Sequence, residues 1–376
     1  MIKLAWKNLI HDRVRLGVTL VGIVFALVLI LVQFGLFLNF LDTSANIVAH
    51  SHADLWIAAP KIPHVNGGSP LKESHRWQAL QVAGVRRVER YDLAFVAWKL
   101  PSGAIETVQV AGFPLDGGMG GPWNIVAGGI DALRGQDTVL IDEVYQAKLG
   151  VTHLGQTVEL GDRRARVVGF THGIRSFTTA PYVFCSFKNA QNYLGASMRE
   201  DQTMYLLVRT AAGADIGTVK AALHARLRSL DIYTNAEMLN KTQTYWVFGT
   251  GAGITTLLGA LLGLIVGIVV VAQTIYAATV DHIREFGTLK AMGAANSRIY
   301  QVILTQAALA GVMGYAVAIV IAEVVSHGSQ GGNAPILLPP GMALGTLALA
   351  VGMCAGASII SIRKATTIDP AMVFRG

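Results

Sequence analysis

The chain has 376 residues, 52% of them hydrophobic and only 14% charged, against roughly 25% charged for an ordinary soluble domain, so composition argues against a purely water-soluble protein. The net charge of +7 comes from 30 Lys and Arg against 23 Asp and Glu. Much of that excess flanks apolar runs, which makes nucleic acid an unnecessary partner.

Taken in chain order, residues 1–15 set Ile2, Trp6, Leu9 and Ile10 against Lys3, Lys7, His11, Asp12 and Arg13. This is the pattern of a basic amphipathic helix lying in the inner interface, the alternative being a frayed basic leader that only signals topology. Residues 16–41 read as a first transmembrane helix. The run is too long for a signal-peptide core and no small-x-small cleavage site follows it, so an uncleaved anchor is expected. Charge-free runs of about 26 (Leu16 to Leu41), about 39 (Thr242 to Val280), about 24 (Ile299 to Ala322) and about 21 residues (Met342 to Ile362) each reach the roughly 20 needed to cross a bilayer. Lys3, Lys7, Arg13 and Arg15 precede the first; Arg284, Lys290 and Arg298 separate the second from the third; Arg363, Lys364 and Arg375 follow the fourth. The loop 326–340 carries neither Lys nor Arg, so both termini are expected in the cytoplasm and residues 42–245 outside.

That exterior region, about 200 residues, is long enough for a core of its own. Strands are expected at Leu55 to Ala58, Phe95 to Leu100, Thr107 to Gly112, Met204 to Arg209 and Ile232 to Thr234, with helices at Ser74 to Val82 and Ile216 to Leu227. A second block, an insert at about 114–200, holds strands at Thr138 to Ile141, Thr157 to Leu160, Arg166 to Phe170 and Tyr182 to Cys185 and short helices at Glu143 to Leu149 and Lys188 to Leu194. The order fits a discontinuous α+β module. Of the two cysteines, Cys185 is in this region and Cys354 in the last apolar run, so they cannot bridge within one chain.

The second apolar run would reach roughly 58 Å as a helix, against a hydrocarbon core of about 30 Å. Residues 246–280 are therefore expected to form a transmembrane helix with a protruding stalk, a continuous lever. Residues 281–298 form a charged elbow. Within it Phe286, Leu289 and Met292 share one helical face, Gly293 suits a helix end, and Asn296 or Ser297 is placed to cap the next helix. Residues 299–325 and 341–362 are the third and fourth transmembrane helices, joined by the exterior loop 326–340 and followed by a cytoplasmic tail, 363–376. Small residues recur at every fourth position, at Gly259, Gly263 and Gly267, at Ala310, Gly314 and Ala318, and at Ala348, Gly352 and Gly356. Such stripes let membrane helices pack closely, as a bundle or as a dimer seam. Gln33 and Gln273 read as interhelical hydrogen-bonders, and Phe34, Phe37 and Phe40 as facing lipid or a neighbouring helix.

No Gly-x-x-x-x-Gly-Lys-Ser/Thr occurs, nor a His-Glu-x-x-His or Gly-x-Ser-x-Gly motif, so no catalytic residues are assigned and any ATP is expected to be hydrolysed by a partner. His50 and His52, with His64 and His75, are the one metal candidate, but carboxylate support is thin and loop histidines are the plainer reading, so no metal is assigned. Glu323, followed by His327 near the outer end of the third helix, is a candidate contact for substrate or a proton, the alternative being an acid in interfacial water.

Three segments carry a family resemblance. Arg284-Glu-Phe-Gly-Thr-Leu-Lys-Ala-Met-Gly293 follows the second membrane run, and Arg363-Lys-Ala-Thr-Thr-Ile-Asp-Pro-Ala-Met-Val-Phe-Arg375 closes the chain. The third is Val139-Leu-Ile-Asp-Glu with Leu149-Gly-Val, Leu154-Gly-Gln-Thr-Val and Val167-Val-Gly-Phe. Together they resemble the FtsX-like permeases of MacB-type ABC transporters, most closely the DevC-like branch. The resemblance implies four transmembrane helices with a large α+β extracytoplasmic domain between the first and second, in a bacterial inner membrane. It implies a homodimer binding two copies of an ABC ATP-binding subunit that holds ATP and Mg, with a periplasmic membrane-fusion adaptor, an outer-membrane channel and membrane lipid as further partners. It also implies mechanotransmission, in which ATP-driven motion is carried to the periplasmic domain to export an amphiphilic or lipid-like substrate. Carried over by position, Arg284 and Glu285 pair charges with the ATPase, Phe286 and Leu289 fill its groove, Lys290 is a rim contact, Gly287 and Gly293 allow close approach and the turn, and Met292 is counted with these coupling residues. The alternative function is a signal relay controlling a cell-wall hydrolase. A sensor receptor without an ATPase is a third reading.

Overall fold

A computed structural model describes residues 13–195, 198–281, 295–332 and 334–366. The chain divides into a helical unit, Met1–Asn39 with Gly253–Gly376, and a sheet unit, Phe40–Ala252.

Helix α1, Arg13–Ala49, contains one non-helical residue, Ala45 (φ −138°, ψ 17°). The helix therefore continues past the expected limit at Leu41. Its last turn places Ile47 and Val48 in the core of the sheet unit, which compensates for bending the chain there.

The sheet unit is built on β1 (Leu55–Ala58) and β2 (Leu71–Lys72), helix α2 (Ser74–Leu80), then β3 (Val85–Lys99), β4 (Ile105–Phe113), β5 (Ile125–Ala127) and β6 (Thr138–Asp142). Helix α3 (Gln146–Leu149) follows, then β7 (Thr157–Leu160), β8 (Arg163–Thr171), β9 (Tyr182–Ser186) and α4 (Phe187–Leu194). The unit is completed by β10 (Gln202–Thr203), β11 (Tyr205–Thr210), α5 (Ile216–Arg226), β12 (Asp231–Thr234) and α6 (Asn235–Thr244). Ten strands form one sheet in the order β12-β1-β11-β3-β4-β9-β6-β8-β5, while β7 pairs with both β3 and β8. The path β3-β4-β9-β6-β8-β7 consequently returns to β3 and closes a barrel, which removes exposed edges. Among these pairings β4 with β9 and β6 with β8 are parallel, so the mixed α+β class expected from sequence is the one observed.

Strand β3 is the spine. Its first half pairs with β11 and its second with β4 and β7. The insert shares β3 and β4 with the rest of the unit, so the two lobes have a strand in common. Alternation on β1 and β11 sorts side chains into two cores. Leu55 and Ile57 of β1, with Leu206 and Val208 of β11, pack with Ala79 of α2 and Val219 and Leu223 of α5. Trp56 and Ala58, with Tyr205 and Leu207, point into the other core, which continues into the barrel through Trp98, Val110 and Phe184. At the lobe junction the buried carboxylate of Asp92 accepts hydrogen bonds from Met204 N–H (2.9 Å), Thr203 Oγ1 (3.2 Å) and Gln191 Nε2 (2.8 Å). Burial pushes its pKa up to about 6 despite those bonds.

The helical unit adds α7 (Ala252–Asp281), α8 (Asn296–Ser329) and α9 (Pro340–Thr366). With α1 these make four helices long and apolar enough to cross a membrane. The expected capping of α8 is not observed: Ala295 stands at the cap position without a side-chain hydrogen bond, and Asn296 is already helical. Close packing comes from small residues. A Cβ on Gly314 of α8 would lie 2.4 Å from Ile23 Cγ2 of α1, and Ala310 and Ala318 are buried beside it.

Candidate functional site

The proposed input, Arg284, Glu285, Phe286, Gly287, Leu289, Lys290, Met292 and Gly293, lies outside the described residues; α7 ends at Asp281 and α8 starts at Asn296.

Gly259, Gly263 and Gly267 all face α1 of the same chain. Ideal Cβ atoms on them would meet Gln33 Oε1 at 3.4 Å, Gln33 Cγ at 3.4 Å and Ile30 Cδ1 at 2.8 Å. This stripe packs a helix pair within one chain, which is the bundle use of the two that the sequence left open. The stripe on α9 behaves differently from expectation. Gly352 and Gly356 have nothing within 4 Å of a Cβ, and Ala348 is exposed. The buried line on that helix is instead Ala350, Cys354 and Ala357.

The expected continuous lever is interrupted. After α6 the chain makes a π-helical turn, Tyr245–Gly249, and then passes through Gly251 at φ +76° before α7 starts. Only glycine takes that left-handed conformation at little cost, and a π turn shifts the phase of side chains around the axis. Sequence reading missed this break; Gly249 and Gly251 in an otherwise helical run were its signal. Just before it, α6 is fixed by a capping box in which Thr234 Oγ1 accepts from Glu237 N–H and Glu237 Oε2 from Thr234 N–H.

The π turn is held inside the sheet unit by aromatic contacts. Trp246 lies 4.5 Å from the Phe177 ring, Phe177 lies 4.9 Å from Phe40 of α1, and the His64 ring lies tilted against Tyr245 at 4.3 Å. Gln243 Nε2 donates to the Leu41 carbonyl (3.0 Å), and Val65 N–H donates to Thr242 Oγ1 (3.2 Å). The segments leading from α1 and toward α7 are thus clamped to one another within this unit. Burial holds the His64 imidazole below its ordinary pKa, with the Asn66 side chain acting in the opposite sense.

The histidines are not brought together. His50 stacks on Trp123 (4.1 Å) with Nδ1 3.0 Å from the Asn46 carbonyl, His64 belongs to the aromatic clamp, and His75 Nδ1 meets the Lys72 carbonyl. His52 adopts φ +56°. Among the described residues no group of three or more His, Cys, Asp or Glu is placed to hold a metal ion. Glu323 is exposed on α8, and its backbone carbonyl meets His327 Nδ1 at 2.8 Å.

Comparison with known proteins identifies the family from both halves of the chain. Residues 16–226 match the model of the MacB-like periplasmic core domain, and residues 257–370 match the FtsX-like permease C-terminal model. The chain belongs to the FtsX-like, MacB-type ABC transporter permeases. Two Mycobacterium tuberculosis proteins, each described as an uncharacterized ABC transporter permease, are 25% identical over 246 residues. The match spans 62% of this chain and 62% of each relative. Similar solved structures include the periplasmic region of MacB from Actinobacillus actinomycetemcomitans, at 13% identity and a TM-score of 0.39, covering 51% of this chain and 92% of that one. The extracellular domain of the noncanonic ABC-type transporter YknZ from Gram-positive bacteria is 14% identical with a TM-score of 0.36, covering 49% of this chain and 100% of that one. As a permease with four apolar helices, the chain is a multi-pass membrane protein.

Proposed function

We propose that this FtsX-like permease is the membrane subunit of an ABC exporter of the DevC-like branch. It lacks an ATPase of its own and receives motion from two copies of a separate ATP-binding subunit, which hold ATP and Mg. The observation that carries the reading is the position of Arg284 to Gly293, a charged amphipathic segment between α7 and α8 in a chain whose two halves match the permease family. Arg284 and Glu285 pair charges with the ATPase, Phe286, Leu289 and Met292 enter its groove, Lys290 makes a rim contact, and Gly287 and Gly293 permit the approach. Motion leaves α7 through the joint at Gly251 and reaches the aromatic clamp, where it acts on the sheet unit by mechanotransmission. The chain works as a homodimer in the inner membrane with both termini cytoplasmic, and a periplasmic adaptor and outer-membrane channel complete the path for an amphiphilic substrate.

Co-purification tests the input. Glu285→Arg combined with Phe286→Ala should abolish recovery of the ATP-binding subunit and its stimulation by the permease in nanodiscs. Undiminished recovery and stimulation would sink the exporter reading. A complex that forms normally, in cells whose deletion strain alters cell-wall hydrolysis and retains no cargo, would identify a signal relay instead.

A further inference from the structure

The first half of β3 carries Arg86, Arg87, Glu89 and Arg90, an unusual density of charge for a strand at the centre of a sheet. In register with β11, Arg87 lies directly opposite Arg209. Like charges in that relation repel across a sheet. The register then shifts between Arg209 and Thr210, an irregularity of the kind that re-aims side chains. Around the pair lies a cavity of about 290 Å³ lined by Arg86, Arg87, Gly117, Met119 and Arg209. Its lining therefore has three guanidiniums and no carboxylate.

Two of these guanidiniums are held in place from behind. Arg87 Nη1 donates to Glu89 Oε1 (3.3 Å) and to the carbonyls of Asp116 (3.0 Å) and Gly117 (3.2 Å). Glu89 is only 4% exposed, and its Oε2 has no hydrogen-bond partner among the described residues. Gly117 closes over this carboxylate so tightly that a Cβ would lie 1.6 Å from Oε1. Arg209 Nη2 donates to the His52 carbonyl, and its Nε lies 3.9 Å from Asp54 Oδ2. Arg86 has no acceptor among the described residues and completes the lining.

We propose that this cavity is a binding site for a phosphate-type oxyanion, either free or as the phosphomonoester head of a larger ligand. Guanidiniums present paired N–H donors that match phosphate oxygens. A doubly charged tetrahedral group between Arg87 and Arg209 converts a repulsive cross-strand pair into a bridged one, and Arg86 supplies a third charge. The site belongs to the chain alone and stands whether or not the protein proves to be an exporter.

The full chain in neutral detergent is titrated with inorganic phosphate at constant ionic strength, and binding is read from broadening of the phosphorus-31 resonance. Saturable broadening is expected, and Arg87→Gln with Arg209→Gln should weaken it by at least about tenfold, as loss of charge-assisted hydrogen bonds requires. Arg86→Gln removes no internal contact and should weaken binding about threefold with folding unchanged. A control, Arg163→Gln with Arg164→Gln on the exposed start of β8, should bind as the parent does. No saturable broadening, unchanged affinity in the Arg86 variant, or an equal loss in the control would overturn the site. Nanodiscs containing phosphatidic acid identify the source: competition with inorganic phosphate indicates a lipid phosphomonoester, and binding of phosphate without competition indicates a soluble phosphorylated ligand.

Discussion

The sheet unit and the helical unit are each packed internally by opposite uses of side-chain size. In the sheet unit the fully buried side chains include Trp56, Trp98, Tyr91, Tyr205 and Phe184, because water drives apolar area out of contact and large residues remove the most of it. In the helical unit the closest approaches are made where a side chain is missing, at Gly22, Gly35, Gly267 and Gly314. Lipid tails are as apolar as leucine, so helices gain from proximity instead of from area. Truncation should therefore be the damaging change in the sheet unit, and enlargement the damaging change in the helical unit.

The largest effect is expected from truncation in the barrel. Trp98 is fully buried, and its Nε1 donates to the Leu149 carbonyl at 3.1 Å. Trp98→Ala should cost about 3–5 kcal/mol by cavity formation, read as a lowered midpoint in thermal unfolding of the full chain. A loss below about 1 kcal/mol would mean that the barrel collapses around the gap and is not close-packed.

Next comes the charge buried between the lobes. The folded Asp92 carboxyl titrates at about 6, above its ordinary value near 3.8, and burial is the main cause. Its contribution is fully present below the unfolded pKa, where both states hold the proton, and is lost as pH rises through the folded pKa. Glu89 is raised by burial as well and acts in the same direction. Asp92→Asn should therefore flatten the decline in melting temperature between about pH 4 and pH 7 and raise stability at neutral pH, by at most about 3 kcal/mol. A steeper decline in the variant would show that the hydrogen bonds to Met204, Thr203 and Gln191 outweigh desolvation.

Enlargement in the helical unit completes the comparison. Gly314→Leu forces a Cβ into a position 2.4 Å from Ile23 and should cost about 1–3 kcal/mol in denaturant unfolding from mixed micelles. Gly352→Leu, with nothing within 4 Å, should change the same measurement by less than about 0.5 kcal/mol. Equal effects at the two sites would remove the distinction between inner and outer faces of the bundle.

The sequence made most of the architecture legible, for reasons that differ by element. Apolar length alone located the four membrane helices, and strand-like runs located β1, β4, β6, β7, β8, β9, β11 and β12 to within about three residues. The first half of β3 was not legible because Arg86, Arg87, Glu89 and Arg90 erase the apolar alternation; its partner β11 lies more than a hundred residues later in the chain, so no local signal replaces it. The arginine cavity was hidden for the same reason, since opposing arginines become neighbours only once the register is known. Which stripe of small residues faces inward was also illegible, because Gly352 and Ala350 are both small and two positions apart. Position 251 announced itself only as a glycine, whereas the joint depends on the backbone turning left-handed there.

Both thiols of the chain are inaccessible: Cys185 of β9 and Cys354 of α9 are fully buried. Burial also pushes the Cys185 thiol up, so little of it is the reactive thiolate at neutral pH. The native chain is thereby a silent background for maleimide chemistry. A single cysteine at Phe248, 63% exposed on the π turn, can carry a spin label or a fluorophore without prior removal of native thiols, and the joint can be followed while the proposed ATP-binding partner is supplied with ATP.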